Sequence, residues 1–152
     1  MPYVASTRPV NDLHSLLDTN WDNQSGNVPE PFYVVLNDNV ESLRIDLNRG
    51  DYIVIRSDTP TLDERPIGTW IYGDQRFKIL LEVLTKHSRQ RLYDLEREIR
   101  RICHSQMHSM TNFQRIQFMN FVELTQEEFQ IWKGRIIVEL LNSATLLNIV
   151  NA

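Results

Sequence analysis

His104 and His108 stand four residues apart, with Cys103 beside the first. On a helix, that spacing turns both imidazoles to one side, where they could grip one metal ion. The residues between them are Ser105, Gln106 and Met107, so the glutamate of the helical zinc-protease motif is missing, and no third ligand follows in a recognisable pattern. The sequence favours a frayed helix end whose histidines meet carbonyls and solvent, and no metal site. Asp51, Asp58 and Glu82 with Lys86, and His104 further on, supply the residue types of a metal-dependent nuclease. Glu82 and Lys86 share a strand face but stand roughly 13 Å apart at about 3.3 Å per residue, too far to converge on one ion. The pairs Asp63–Glu64 and Glu127–Glu128 flank turns, and adjacent carboxylates seldom meet at one site. With five glycines there is neither a phosphate-cradling loop nor a nucleophile elbow. The single cysteine, Cys103, excludes an intrachain disulfide, suits a reducing compartment and reads as a buried thiol beside Ile102. The expectation is a chain without catalytic residues, metal or cofactor.

Charge and apolar surface carry more. The stretch "RQRLYDLEREIRRI" interleaves Glu96, Arg97, Glu98 and Arg101 with Tyr93 and Asp94. Its basic residues could meet a phosphate backbone, but its acids largely cancel them. Such mixed patterning suits a solvated helix face or a charged subunit interface. The whole chain carries 16 basic and 20 acidic residues, so charge offers no support for general nucleic-acid binding. Trp70, Ile71 and Tyr72 fall in an irregular stretch, and Leu146, Leu147, Ile149 and Val150 in the last residues. Both are more apolar than a monomer of this size should expose, so they either fold back on the core or dock on neighbouring copies.

These residues need a scaffold of 152 residues, enough for one domain with a real core. No run approaches the roughly 18 apolar residues of a membrane span, and "MPYVASTRPV" lacks the apolar stretch of a signal peptide. "VNDLHSLLDTNW" predicts a short helix with Val10, Leu13 and Leu17 on one face, capped by Asn11 or Asp12. "FYVVL" (32–36), "SLRIDL" (42–47) and "YIVIR" (52–56) predict strands, the last two joined by "NRGD" as a hairpin. Residues 57–76, with two prolines and two glycines, read as an extended arm or a protruding long hairpin. A strand then carries Ile79, Leu81 and Val83 on one face, with Phe77, Leu80 and Leu84 on the other. It feeds a long amphipathic helix, with Ser88 as its cap and Leu92, Leu95, Ile99 and Ile102 as its stripe. "FQRIQFMNFVEL" changes phase at Met119–Phe121, which predicts a β-bulge, and "QIWKGRIIVELL" is a last strand before an apolar tail over 142–152. The fold class is α+β: a single domain over 1–152, with a mostly antiparallel sheet, one long amphipathic helix packed across it, a short N-terminal helix and an extended arm.

The succession "VNDLHSLLDTNW", "FYVVL", "SLRIDL", "YIVIR", irregular arm, "FKILLEVLTKHSRQRLYDLEREIRRI", "RIQFMNFVEL" and "WKGRIIVELL" resembles the tail terminator and tail completion proteins of long-tailed phages and related viruses. The resemblance covers about Val10 to Leu141 as a pattern of elements, without a catalytic signature. It implies a structural virion protein of the tail–neck region, assembled in the host cytoplasm as a homo-oligomeric ring, commonly hexameric. Such a ring would contact the tail tube protein and the head–neck connector proteins, pass the genome DNA without gripping it, and touch no membrane. Trp70, Ile71, Tyr72, Leu146, Leu147 and Ile149 would then make subunit or tail-tube contacts. Glu96, Arg97, Glu98 and Arg101 would make salt bridges between subunits. A small metal-dependent nuclease and a host-protein-binding adaptor are the competing readings.

Overall fold

A computed structural model describes residues 9–23, 27–36, 45–57, 61–67, 70–110 and 113–145. Helix α1 (Pro9–Asn20) begins on a proline, whose absent N–H would have had no helical partner at that position. That start places Asn11 and Asp12 inside the first turn, not at the cap expected from the sequence. Val10, Leu13 and Leu17 form its buried stripe. Trp21 then donates its indole N–H to the Val28 carbonyl (3.1 Å), which turns the chain back toward β1 (Phe32–Leu36).

β1 lies parallel to β2 (Tyr52–Ser57), and β2 lies antiparallel to β4 (Trp70–Thr85). Both hydrogen-bonding sides of Tyr52–Arg56 are therefore occupied. This overturns the expected hairpin between residues 42–47 and 52–56, because no side of β2 is left to accept another strand. Residues 42–44 lie outside the described residues, Ile45 and Asp46 are irregular, and Leu47–Arg49 form a turn. Asn48 donates its backbone N–H to the Asp46 carboxylate (3.1 Å), an interaction that competes with strand pairing.

β3 (Thr61–Ile67) pairs with Trp70–Arg76, the first part of β4, on the side that β2 takes further along. The stretch 57–76 is thus largely a β-hairpin. Beyond β4, β6 (Trp132–Thr145) pairs with it from Tyr72 to Thr85, and β5 (Arg115–Glu123) closes the sheet against β6. The order is β1-β2-β4-β6-β5, with β3 attached to β4. The bulge falls between Phe118 and Asn120, where the phase change placed it. The last strand does not stop at Leu141. Asn142–Thr145 continue it because β4 offers free main-chain groups at Tyr72–Gln75, and ladder bonds do not depend on side-chain polarity.

Helix α2 (Arg89–Ser105) starts at Ser88, whose hydroxyl accepts from the Arg91 N–H (3.1 Å). Its Leu92, Leu95, Ile99 and Ile102 are fully buried. α2 covers β4, β5 and β6, while α1 covers β1, β2 and β4. The core between helices and sheet takes Ile53 and Ile55 from β2, Ile79, Leu81 and Val83 from β4, and Ile136, Val138 and Leu140 from β6. Each buried Leu or Ile contributes about 1.5–3 kcal/mol of transfer free energy. Phe77, assigned from the sequence to the opposite face of β4, shares the core face with Ile79, as the two-residue period requires, and meets Phe113 edge-on (centroids 5.7 Å). Leu80 and Leu84 do take the other face. The chain is α+β, and among the described residues no helix is long and apolar enough to cross a membrane.

Candidate functional site

Among the described residues, the types that suggested chemistry are not brought together. Asp51, at the head of β2, accepts from the Thr85 hydroxyl (2.5 Å) and pairs with Arg91 (3.0 Å) on the helix side of the sheet. Glu82 points to the opposite face, between Arg56 (3.3 Å) and Lys133 (3.7 Å). The sheet itself separates the two carboxylates, and Asp58 lies outside the described residues. His104 is exposed at the last turn of α2. His108 sits beyond the helix end, its Nδ1–H donating to the Gln114 carbonyl (3.2 Å). The two imidazoles therefore do not share a helical face, and among the described residues no group of three His, Cys, Asp or Glu side chains converges. Burial pushes the Cys103 thiol up to about 12, the state of a core side chain, not of a nucleophile. Asp63 and Glu64 lie within β3 instead of a loop, while Glu127 and Glu128 occupy a 3₁₀ turn (Glu127–Phe129) between β5 and β6.

The charged face of α2 is largely spent inside the chain. Glu96 and Glu98 are only 6% and 8% exposed, so they are not the outward residues that the sequence suggested. Glu96 pairs with Arg100 (3.0 Å), whose guanidinium lies over the Phe118 ring of β5. Glu98 pairs with Arg101, which also donates to the Asn20 carbonyl at the end of α1 (2.8 Å). Arg101 thus ties the two helices together through the negative end of α1. The helical wheel put these acids outside because it sees one helix alone; the neighbours α1 and β5 rise on either side of it. Of the four α2 candidates Arg97 is the most exposed, its side chain at 71%, beside Asp94 (2.8 Å), and Arg101 stays exposed at 47%.

Two further clusters lie near the helices. Below α1, burial first, and a hydrogen bond that the protonated carboxyl donates to Asp18 next, hold the Glu30 carboxyl above the usual carboxylate range; Asn23 and Tyr33 pull the other way. Glu30 Oε1 and the Tyr33 hydroxyl are enclosed without a well-aligned hydrogen bond, and burial with nearby carboxylates drives the phenol far above its ordinary value. A pocket of about 420 Å³ between α1 and the end of α2 is lined by Asp12, Ser15, Thr19, Gln106 and Met110 among others, without a cluster of charges.

The remaining candidates lie on the sheet. β3, the first part of β4 and the end of β6 run on past β2 as a three-stranded tongue. Its strands place Trp70, Ile71 and Tyr72 in β4. Tyr72 stands between Arg65 of β3 and Thr145 of β6. Leu146, Leu147 and Ile149 lie outside the described residues, but the chain reaches them from Thr145, beside Tyr72. Sequence spacing alone did not signal this proximity of segments more than seventy residues apart. The sheet face away from the helices mixes half-buried Leu80, Leu84 and Ile137 with the Arg56–Glu82–Lys133 and Arg76–Glu139 (3.5 Å) ion pairs. No known protein-family model matches the chain, and no curated protein is significantly similar to it.

Proposed function

We propose that this protein is a structural component of a virion. It assembles into a ring at the head-proximal end of a tail, as a tail terminator or head–tail joining protein, without catalysis. The observation that carries this reading is the pairing of Tyr72 with Thr145, which starts both apolar candidate segments from one end of one sheet. A ring built this way contacts the tail tube protein on one side and the head–neck connector on the other. A net charge of −4 per subunit lets DNA pass without being held. Commonly such rings are hexameric.

Light scattering over a concentration series, with electron microscopy of the same samples, tests the proposal. Closed rings support it, and a strict monomer at every concentration refutes it. The double variant Trp70→Ser/Tyr72→Ser should lose association with tail tubes or with its own copies while keeping its circular dichroism and melting temperature. A collapse in thermal stability would place both side chains in the subunit's own core instead. The nuclease alternative has less support, since Asp51 and Glu82 face opposite sides of the sheet.

A further inference from the structure

Among the described residues the sheet has open edges at β1 and β5, besides that of β3. Among those residues β1 pairs only with β2, and β5 pairs with β6 while Ile116, before the bulge, donates its N–H to the Met107 carbonyl (2.9 Å), so β1 and the part of β5 beyond the bulge keep an outer row of backbone donors and acceptors. Pairing can be followed across the sheet from one edge to the other. One row runs Phe32, Tyr52, Leu84, Lys133 and then Leu124, whose N–H donates to the Lys133 carbonyl (2.8 Å). The next row on the same face runs Val34, Val54, Glu82, Arg135, Val122. Both rows lie on the face without helices. Both edges end in exposed apolar side chains, Phe32 at 42% on one side, Val122 at 43% and Leu124 at 37% on the other.

Direction and length also match. β1 runs opposite to β4, and β5 runs with β4, so two copies in the same orientation bring their edges together antiparallel. The bulge at Met119 breaks β5 and leaves Asn120–Glu123 as its regular stretch, which the Leu124 N–H bond to Lys133 extends by one residue beside the five of Phe32–Leu36. Facing one another, Phe32 meets Leu124 and Val34 meets Val122. Charges beyond that end of the sheet are opposite in sign. Exposed Arg49 lies 5.0 Å over the Phe32 ring, and after Leu124 the 3₁₀ turn carries Glu127, paired with Arg89 (2.9 Å), and exposed Glu128.

We propose that the β5 edge of one copy adds to the β1 edge of the next, with Arg49 set against Glu128. This rests on the ring reading and names the surfaces that close the ring. A head-to-tail contact closes only if successive copies do not climb, and rows at equal height meet that condition. Closure covers the β1 and β5 edges, which would otherwise invite uncontrolled aggregation.

The test is a cysteine pair, because directly opposed antiparallel residues lie within disulfide reach. A mixture of Phe32→Cys and Leu124→Cys chains should give a disulfide-linked dimer on mild oxidation, each variant alone should give none, and the double variant should give a ladder. Arg49→Glu should weaken association about tenfold, and Arg49→Glu/Glu128→Arg should restore it. Rings seen by light scattering without the mixed disulfide overturn this contact and leave the ring reading standing. Dimers from Leu124→Cys alone indicate a two-fold β5–β5 contact and overturn it as well. A monomer at all concentrations overturns both.

Discussion

Replacing Gly134 with alanine isolates the packing between α2 and the β5–β6 pair. Gly134 lies on the core face of β6, and a methyl group there would stand 2.5 Å from Phe121 Cε2, 3.1 Å from Phe121 Cζ and 3.3 Å from Leu92 Cδ1. Ordinary carbon contacts are about 3.5–4.0 Å, so the Phe121 ring must move by about 1 Å. That ring is not a loose end: it packs edge-on against Tyr93 of α2 (6.1 Å). Overpacking of this kind costs about 1–3 kcal/mol. Alanine recovers about 0.5–1 kcal/mol because it restricts the unfolded chain more than glycine does. The net is a destabilisation of about 0.5–2 kcal/mol, or a fall in melting temperature of about 2–6 °C for a chain of this size. Calorimetry measures it, and a double-mutant cycle identifies its cause. Phe121→Leu makes room for the methyl, so Gly134→Ala should cost less in that background by about 0.5–1 kcal/mol. A neutral or stabilising Gly134→Ala, or strictly additive variants, would refute the reasoning.

Two further outcomes follow from titrating groups. The Glu30 carboxyl binds its proton more tightly in the folded protein, so its contribution favours folding at low pH and is lost as pH rises through the raised value. Glu30→Gln should therefore raise the denaturant midpoint at pH 7 and flatten the decline of stability just above the ordinary carboxylate range; a lower midpoint at pH 7 would contradict it. Cys103, with its thiol pushed up to about 12, should react with a disulfide reagent at pH 8 only through unfolding. The thiolate fraction is about one part in ten thousand there, so a rate at least roughly a hundredfold below that in denaturant is expected. Prompt labelling of the native protein would show that the thiol is reachable.

Local periodicity reports whether a side chain faces core or water, and on that point the sequence was legible. Val10, Leu13 and Leu17 in α1, Leu92 to Ile102 in α2 and the Ser88 cap are set by side chains within a few residues of one another. The bulge near Met119 was legible for the same reason, because an extra residue reverses the alternation of burial along one strand. The apolar character of Trp70–Tyr72 and of Leu146–Ile149 was equally plain.

Partners were not legible. The alternation of Leu43, Ile45 and Leu47 promised a strand beside β2, but β2 had already been claimed on both sides by β1 and β4, and a sequence pattern does not record competition for a ladder. Glu96 and Glu98 looked solvent-facing because a helical wheel contains no neighbouring helix or strand. Gly134 carried no signal at all until Phe121 and Leu92 were brought against it. The amino-acid order by itself determined which faces are apolar, where α2 starts and where β5 bulges. Only tertiary structure decided that Tyr72 stands beside Thr145 and that Phe32 and Leu124 end the same row, since both depend on register between strands far apart in the chain.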